Sequence, residues 1–112
     1  MSRRNAALER GQAAPVFAAL GDETRLALVA RLGASGPLST ARLTDQTKVT
    51  RQAITKHLEV LARAGLVRGE RQGRERLWVF EGQKLDEARR YLDQVSKQWD
   101  DALQRLAAFV DQ

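Results

Sequence analysis

Apolar residues in the first half of the chain fall in short blocks at three- and four-residue spacing, each opened by a small polar residue or closed by glycine. Residues 15–20 read as a first helix, with Pro15 accommodated in an opening turn and Gly21 as its break. Asp22 is placed to cap a second helix reaching residue 32, with Leu26, Val29, Ala30 and Leu32 as its apolar face. Gly33 closes that helix, and residues 34–38, which carry Gly36-Pro37, read as a loop. Ser39 caps a short third helix over residues 40–47, with Ala41 and Leu43 turned inward. Thr50 caps a fourth over residues 51–64, and Gly65 stands just beyond its end, where a left-handed residue is wanted. Two short helices joined by a tight turn make a helix-turn-helix.

Beyond Gly65 the period changes. Residues 66–71 and 75–80 read as strands flanking Gln72-Gly73-Arg74, a β-hairpin with Leu77 and Val79 on one side and Trp78 and Phe80 on the other. From Lys84 onward Leu85, Ala88, Leu92, Val95, Trp99, Ala102, Leu106 and Phe109 alternate spacings of three and four, a seven-residue seam on one long helix. The predicted fold is mostly α with a small β-hairpin: a winged helix-turn-helix with a long C-terminal dimerisation helix. It divides into an N-terminal tail or short arm (residues 1–11), a winged body (12–81) and the terminal helix (82–112).

About 28 helical residues at 1.5 Å each span roughly 40 Å, more than the small body can cover. Part of the seam is expected to fold back on its own domain. The rest asks for a partner, most simply a second copy related by a twofold axis. Leu85, Leu92, Val95, Trp99, Ala102, Leu106 and Phe109 are therefore the expected dimer interface. Trp78, Tyr91, Trp99 and Phe109 could line a ligand pocket, but aromatics at helical spacing more often serve core or interface.

Charge adds a direction. The 112 residues carry a net +5. Residues 50–80 hold seven Lys/Arg against three Asp/Glu, whereas residues 82–112 hold five against six. The helix-turn-helix and hairpin are thus built to meet a polyanion, and the terminal helix is not. No cysteine is present, which removes disulfides, thiolate metal ligands and thiol redox sensing. No apolar run has the length of a membrane span or the make-up of a signal peptide, so cytoplasmic residence without membrane contact is expected.

Candidate chemistry concentrates in residues 50–61. On a helix, Ile54, Leu58 and Leu61 share the inward face, while Arg51, Gln52, Thr55 and Lys56 project outward near the amino end. Gln pairs bidentately with adenine, Arg and Lys favour guanine, and a Thr methyl contacts thymine. A helix amino terminus also attracts phosphate. From this helix alone a solvated amphipathic face is an equal reading. Arg68, Arg71, Arg74 and Arg76 around the hairpin tip tilt the balance, since such a loop can enter a minor groove or track phosphates. Glu70 and Glu75 dilute that patch and can pair with some of these arginines across the strands.

Val16-Phe17-Ala18-Ala19-Leu20-Gly21-Asp22-Glu23-Thr24-Arg25 resembles the opening of the ArsR/SmtB family of bacterial repressors. Thr55-Lys56-His57-Leu58-Glu59-Val60-Leu61 with Ala64-Gly65-Leu66-Val67 resembles that family's recognition helix and its exit, and Gly73-Arg74-Glu75-Arg76 resembles its wing. The resemblance implies a dimeric repressor that binds double-stranded DNA at an inverted-repeat operator. It makes Gln52, Thr55 and Lys56 base-contact candidates and His57 a phosphate-contact candidate, beside Arg51 and the wing residues Arg71, Arg74 and Arg76.

Two departures qualify it. The turn at Gln46-Thr47-Lys48-Val49 lacks the glycine common in such turns. Metal-sensing relatives carry ligands in or near the third helix or on the terminal helix, but residues 38–43 offer none and the terminal helix has no histidine. One histidine cannot build a transition-metal site. Asp86-Glu87 and Asp100-Asp101 are adjacent pairs that diverge on a helix. No nucleophile motif such as Gly-x-Ser-x-Gly occurs. The expectation is therefore no catalytic residue, no metal and no cofactor, with a small organic molecule, a protein or nothing as effector. A reading from a different class is a winged-helix protein-interaction module that meets an acidic protein partner.

Overall fold

In the computed structural model, residues 9–111 are described. Polar caps set three of the helix starts, as the capping pattern predicts. The Asp22 carboxylate accepts the Arg25 backbone N–H at 2.9 Å and opens α2, Glu23–Ser35. Ser39 Oγ accepts from Arg42 N–H at 3.1 Å and opens α3, Thr40–Asp45. Thr50 Oγ1 accepts from Ala53 N–H at 3.1 Å and opens α4, Arg51–Arg63. Each satisfies an amide that the helix itself leaves unpaired.

The first helix begins earlier than expected. α1 spans Arg10–Leu20, with Glu9 and Gln12 forming a reciprocal capping box. Pro15 therefore lies inside the helix rather than in its first turn, where its missing N–H costs a ladder bond. The buried row Ala13, Val16 and Ala19 offsets that loss. Residues 1–8 of the expected tail lie outside the described residues.

α2 also runs past Gly33, to Ser35, and stops at Gly36, whose φ of 84° an L side chain would resist. Its inward row is Leu28, Val29 and Leu32, whereas Leu26, expected in the core, is 53% exposed and Ala30 also faces solvent. Arg25 lies on the same helical face as Leu28, Val29 and Leu32, and its side chain is held inward by its own hydrogen bonds.

The hairpin comprises β2, Val67–Gln72, and β3, Glu75–Phe80, antiparallel with Val67 opposite Phe80 and Gln72 opposite Glu75. The two-residue connection is Gly73-Arg74, and Gly73 takes a φ of 63°. Leu38–Ser39, expected to be loop, forms a short strand β1 that pairs with β3 through Leu38–Trp78 and Ser39–Leu77. The sheet order is thus β1-β3-β2. The pairing covers a β3 edge that would otherwise expose unpaired backbone.

One core joins these elements. Leu32, Leu43, Ile54, Leu58, Leu61 and Leu66 are essentially fully buried, and Trp78 fills the space beneath the sheet. Its indole N–H donates to Thr40 Oγ1 at 2.9 Å, tying the wing to the start of α3. Thr40→Val keeps the shape and deletes the acceptor. It should destabilise the protein by about 1–3 kcal/mol, the cost of a stranded buried donor. Urea unfolding followed by tryptophan fluorescence reads this out, and a change below a few tenths of a kcal/mol would mean the bond is inconsequential.

The terminal helix α5, Gly82–Val110, joins that core only by its first third. Ala88 is buried, Leu85 and Tyr91 pack beside it, and the Tyr91 and Phe17 rings lie 6.3 Å apart. From Ser96 onward every described residue is exposed. The radius of gyration is 18.1 Å, against about 13 Å for a packed chain of this length, because α5 projects from the body. The architecture is a winged helix-turn-helix with a long C-terminal helix.

Candidate nucleic-acid interface

α4 has a sharp division of labour. Ile54, Leu58 and Leu61 lock one face into the core, so the opposite face is rigidly held. On it Arg51, Gln52 and Lys56 are exposed, near the helix amino end, and none of them makes a side-chain hydrogen bond or ion pair among the described residues. Thr55 is half-buried, and its hydroxyl donates back to the Arg51 carbonyl at 2.9 Å. Its hydrogen is thereby committed to the helix, and only the methyl group and the oxygen lone pairs remain for any outside contact.

The turn before α4 manages without glycine because Thr47 takes over its work. Thr47 Oγ1 donates to the Thr44 carbonyl at 3.0 Å and accepts the Val49 N–H at 3.3 Å. This hydroxyl-bridged turn needs no positive φ, and no non-glycine residue among those described adopts one.

His57 is placed differently from its outward neighbours. It is half-buried, its Nδ1 accepts a hydrogen bond from Arg25 Nη1 at 3.1 Å, and Asp22 Oδ2 lies 3.8 Å away. The Asp22 carboxyl is held below the usual carboxylate range, first because it accepts the Arg25 backbone N–H, and further because His57 and the Arg25 guanidinium lie beside it. His57 thus ties α4 to the junction of α1 and α2. Sequence reasoning treated Asp22 as a cap alone and assigned Arg25 no role.

The wing arginines divide into two pairs. Arg68 is consumed by ion pairs with Glu70 and with Glu81. Arg76 lies back over the Trp78 ring, its guanidinium carbon 4.3 Å from the ring centroid. Gly69 makes room for it, since a Cβ there would stand 2.7 Å from Arg76 Nε. Arg71 and Arg74 are exposed and form no ion pair among the described residues. Of the two expected acidic partners Glu70 pairs with a wing arginine, while Glu75 pairs with none among the described residues. Arg71 and Arg74 are therefore the wing's available cations, with Arg74 at its tip.

On α5 the expected interface positions separate. Leu85 is half-buried against its own core and Val95 is half-buried, while Leu92, Trp99, Ala102, Leu106 and Phe109 are exposed. Leu103 and Val110 were absent from the predicted set, yet they belong with the exposed group. Trp99, Leu103, Leu106, Phe109 and Val110 leave 57–74% of their surface to solvent. Their spacing of four, three, three and one makes the stripe broader than a strict seven-residue seam.

Comparison with known proteins bears on this geometry. Residues 20–70 match the helix-turn-helix domain family. YuzN, an HTH-type transcriptional regulator of Bacillus subtilis strain 168, is 42% identical over 76 residues, covering 62% of this chain and 83% of that one. The HTH-type transcriptional regulator Rv2034 of Mycobacterium tuberculosis is 38% identical over 93 residues, covering 83% of each chain. The structure of an ArsR-like transcriptional regulator from Rhodococcus sp. RHA1 superposes with a TM-score of 0.73 at 36% identity, covering 86% of this chain and 90% of that one. The chain belongs to the ArsR-like family of helix-turn-helix transcriptional regulators.

Within this ArsR-like regulator, the family match at residues 20–70 takes in the Asp22–Arg25–His57 tie and all of α4, and ends inside β2, the first strand of the wing. Among the described residues no three His, Asp or Glu side chains converge as a metal site would require. No helix among the described residues is long and apolar enough to cross a membrane.

Proposed function

We propose that this regulator is a homodimeric, sequence-specific repressor that reads an inverted-repeat operator and does not sense metal. The observation that carries the reading is the free outward face of α4. Arg51, Gln52 and Lys56 have no side-chain partner among the described residues and stand near the amino end of a helix whose other face is buried without compromise. That is the arrangement by which a helix enters a major groove. Residues 12–81 form the reading body, with Thr55 and His57 completing its contacts to base and phosphate. Residues 82–112 join two copies through Leu92, Trp99, Leu103, Leu106 and Phe109. Two recognition helices then occupy successive major grooves roughly 34 Å apart. Arg71 and Arg74 add phosphate or minor-groove contacts, with Arg76 held against Trp78 behind them.

A dimer seated on its operator blocks polymerase by occupancy, which is the sense in which we read it as a repressor. A chain with no cysteine and one histidine, that histidine already bonded to Arg25, is poor material for a transition-metal sensor. We place the protein in the cytoplasm, with DNA and itself as partners and no cofactor.

The experiment is binding of the purified protein to its own upstream DNA and to random DNA at two salt concentrations. Clear preference for the upstream fragment, with transcription of the adjoining gene rising when the protein is deleted, supports the reading. Equal, weak, salt-sensitive binding to both fragments would overturn it and favour an acidic protein partner. Arg74→Ala should weaken binding to both DNAs a few-fold. It should also lower the magnitude of the log–log salt slope by about two, one phosphate contact per protomer. An unchanged slope would remove Arg74 from the interface.

A further inference from the structure

We propose that Arg25, remote in sequence from the recognition helix, is a positioning residue for DNA binding: it orients His57 and fixes that ring as an Nε2–H donor toward the DNA backbone. The proposal rests on the operator-binding reading above and assigns the regulation of one contact within it.

A single guanidinium joins three elements. Its Nε donates to the Ala19 carbonyl at 2.5 Å and Nη2 to the Ala18 carbonyl at 3.5 Å, both in the last turn of α1. Carbonyls at a helix carboxyl end carry partial negative charge, so a cation is well placed there, although the Ala18 carbonyl also accepts the Gly21 backbone N–H at 3.2 Å. Its Nη1 donates to His57 Nδ1 at 3.1 Å, on α4. Arg25 itself is anchored on α2, where its backbone N–H serves the Asp22 cap.

The tautomer follows from the donor inventory. Arginine has no acceptor, so the Nδ1 that faces it must offer a lone pair, and the ring proton of the neutral imidazole resides on Nε2. The Asp22 carboxylate could compete by accepting a proton from Nδ1, but at 3.8 Å it lies beyond hydrogen-bonding distance. Among the described residues Asp22, the cap of α2, and Arg25 on α2 are the charged partners of this ring, while the Ala18 and Ala19 carbonyls of α1 hold the Arg25 guanidinium beside it. Without Arg25, nothing holds Nδ1 as the acceptor, and the ring could present a lone pair where phosphate needs a donor.

His57 is the only histidine in the chain, so its ring nitrogens give a single, self-assigned pair of 15N resonances. The first arm uses the full chain without DNA, at a pH where the imidazole is neutral. The expected spectrum shows an unprotonated Nδ1 and a protonated Nε2. Arg25→Lys keeps the charge, but one ammonium cannot span both the α1 carbonyls and His57 Nδ1 as the guanidinium fork does. Nδ1 then loses its fixed donor, and a mixture of tautomers is expected while far-UV circular dichroism stays close to wild type. A wild-type Nδ1–H tautomer, or a spectrum unchanged in Arg25→Lys, would overturn the assignment.

The second arm is a double-mutant cycle on upstream DNA. Arg25→Lys alone should weaken specific binding roughly tenfold, about one charge-assisted hydrogen bond. His57→Gln retains an N–H donor near Nε2 without depending on Nδ1. In that background Arg25→Lys should cost almost nothing further. Full additivity of the two changes would show that Arg25 acts without His57 and defeat the proposal. Loss of the Nε2–H signature in Arg25→Lys, on a protein indifferent to DNA sequence, would leave the Arg25–His57 tie standing and sink the operator reading instead.

Discussion

Leu103→Glu combined with Leu106→Glu should leave the protein folded but monomeric, with operator affinity reduced at least about 100-fold. Both side chains lie on the part of α5 beyond Ser96, where every described residue is exposed, and each leaves more than half of its surface in water. Replacing them removes nothing from the core formed by Leu32, Ile54, Leu58 and Trp78. Far-UV circular dichroism should therefore be nearly unchanged. Between two copies, however, the change sets carboxylates where apolar surface would be buried, and an unpaired charge there is far more costly than a lost contact. A second half-site bound through a rigid dimer contributes an effective-concentration gain on the order of 10²–10⁴, which the monomer forfeits. Sedimentation and fluorescence anisotropy on the same samples decide the matter. A wild-type protein that sediments as a monomer, or a double variant that binds its operator as tightly as the parent, would end the dimer reading.

The outer part of α5 also shows why some of this molecule was legible in its sequence and some was not. Local chemistry was read correctly where it acts locally: Asp22, Ser39 and Thr50 cap helices because a short side-chain oxygen reaches the third residue on, whatever lies elsewhere. The alternation of β3 likewise put Trp78 opposite in sense to Leu77, and only Trp78 of the two is fully buried. What escaped depended on contacts distant in sequence. Leu38–Ser39 has no strand signal of its own and becomes one because β3 offers an edge. Leu26 looked inward by hydrophobicity, but the face of α2 that packs inward is that of Leu28, Val29 and Leu32, shared with Arg25, whose partners are on α1 and α4.

The same holds for the candidate interface. A count of wing arginines cannot tell Arg74, which forms no ion pair among the described residues, from Arg68, held by Glu70 and Glu81, or Arg76, folded over Trp78. The signal for Arg76 lay in Gly69, a glycine in a strand, which often marks a close approach by another group. Leu103 and Val110 were missed because a strict seven-residue seam was imposed on a helix that repeats every 3.6 residues, whose apolar stripe drifts and widens along a straight axis.

The outward face of α4 yields the other large effect. Gln52→Ala should weaken operator binding by about 30-fold or more and leave binding to random DNA nearly unchanged. Gln52 is exposed and makes no side-chain hydrogen bond among the described residues, so the substitution costs the fold little. Near the amino end of the helix, its amide is of the kind that pairs bidentately with adenine, a discrimination of about 1–3 kcal/mol per contact. A twofold dimer makes that contact twice, so even the lower value doubles to about 2 kcal/mol, which is the stated 30-fold. Random DNA is held by phosphate contacts, which carry no sequence information and do not involve an uncharged amide in this way. Lys56→Ala should lose on both, and more on the operator, because an ammonium meets phosphate and guanine alike. The pair of variants thus separates base reading from charge. Equal losses on operator and random DNA for Gln52→Ala would mean that this face touches only the backbone, and specificity would have to come from the bending or groove width of the operator instead.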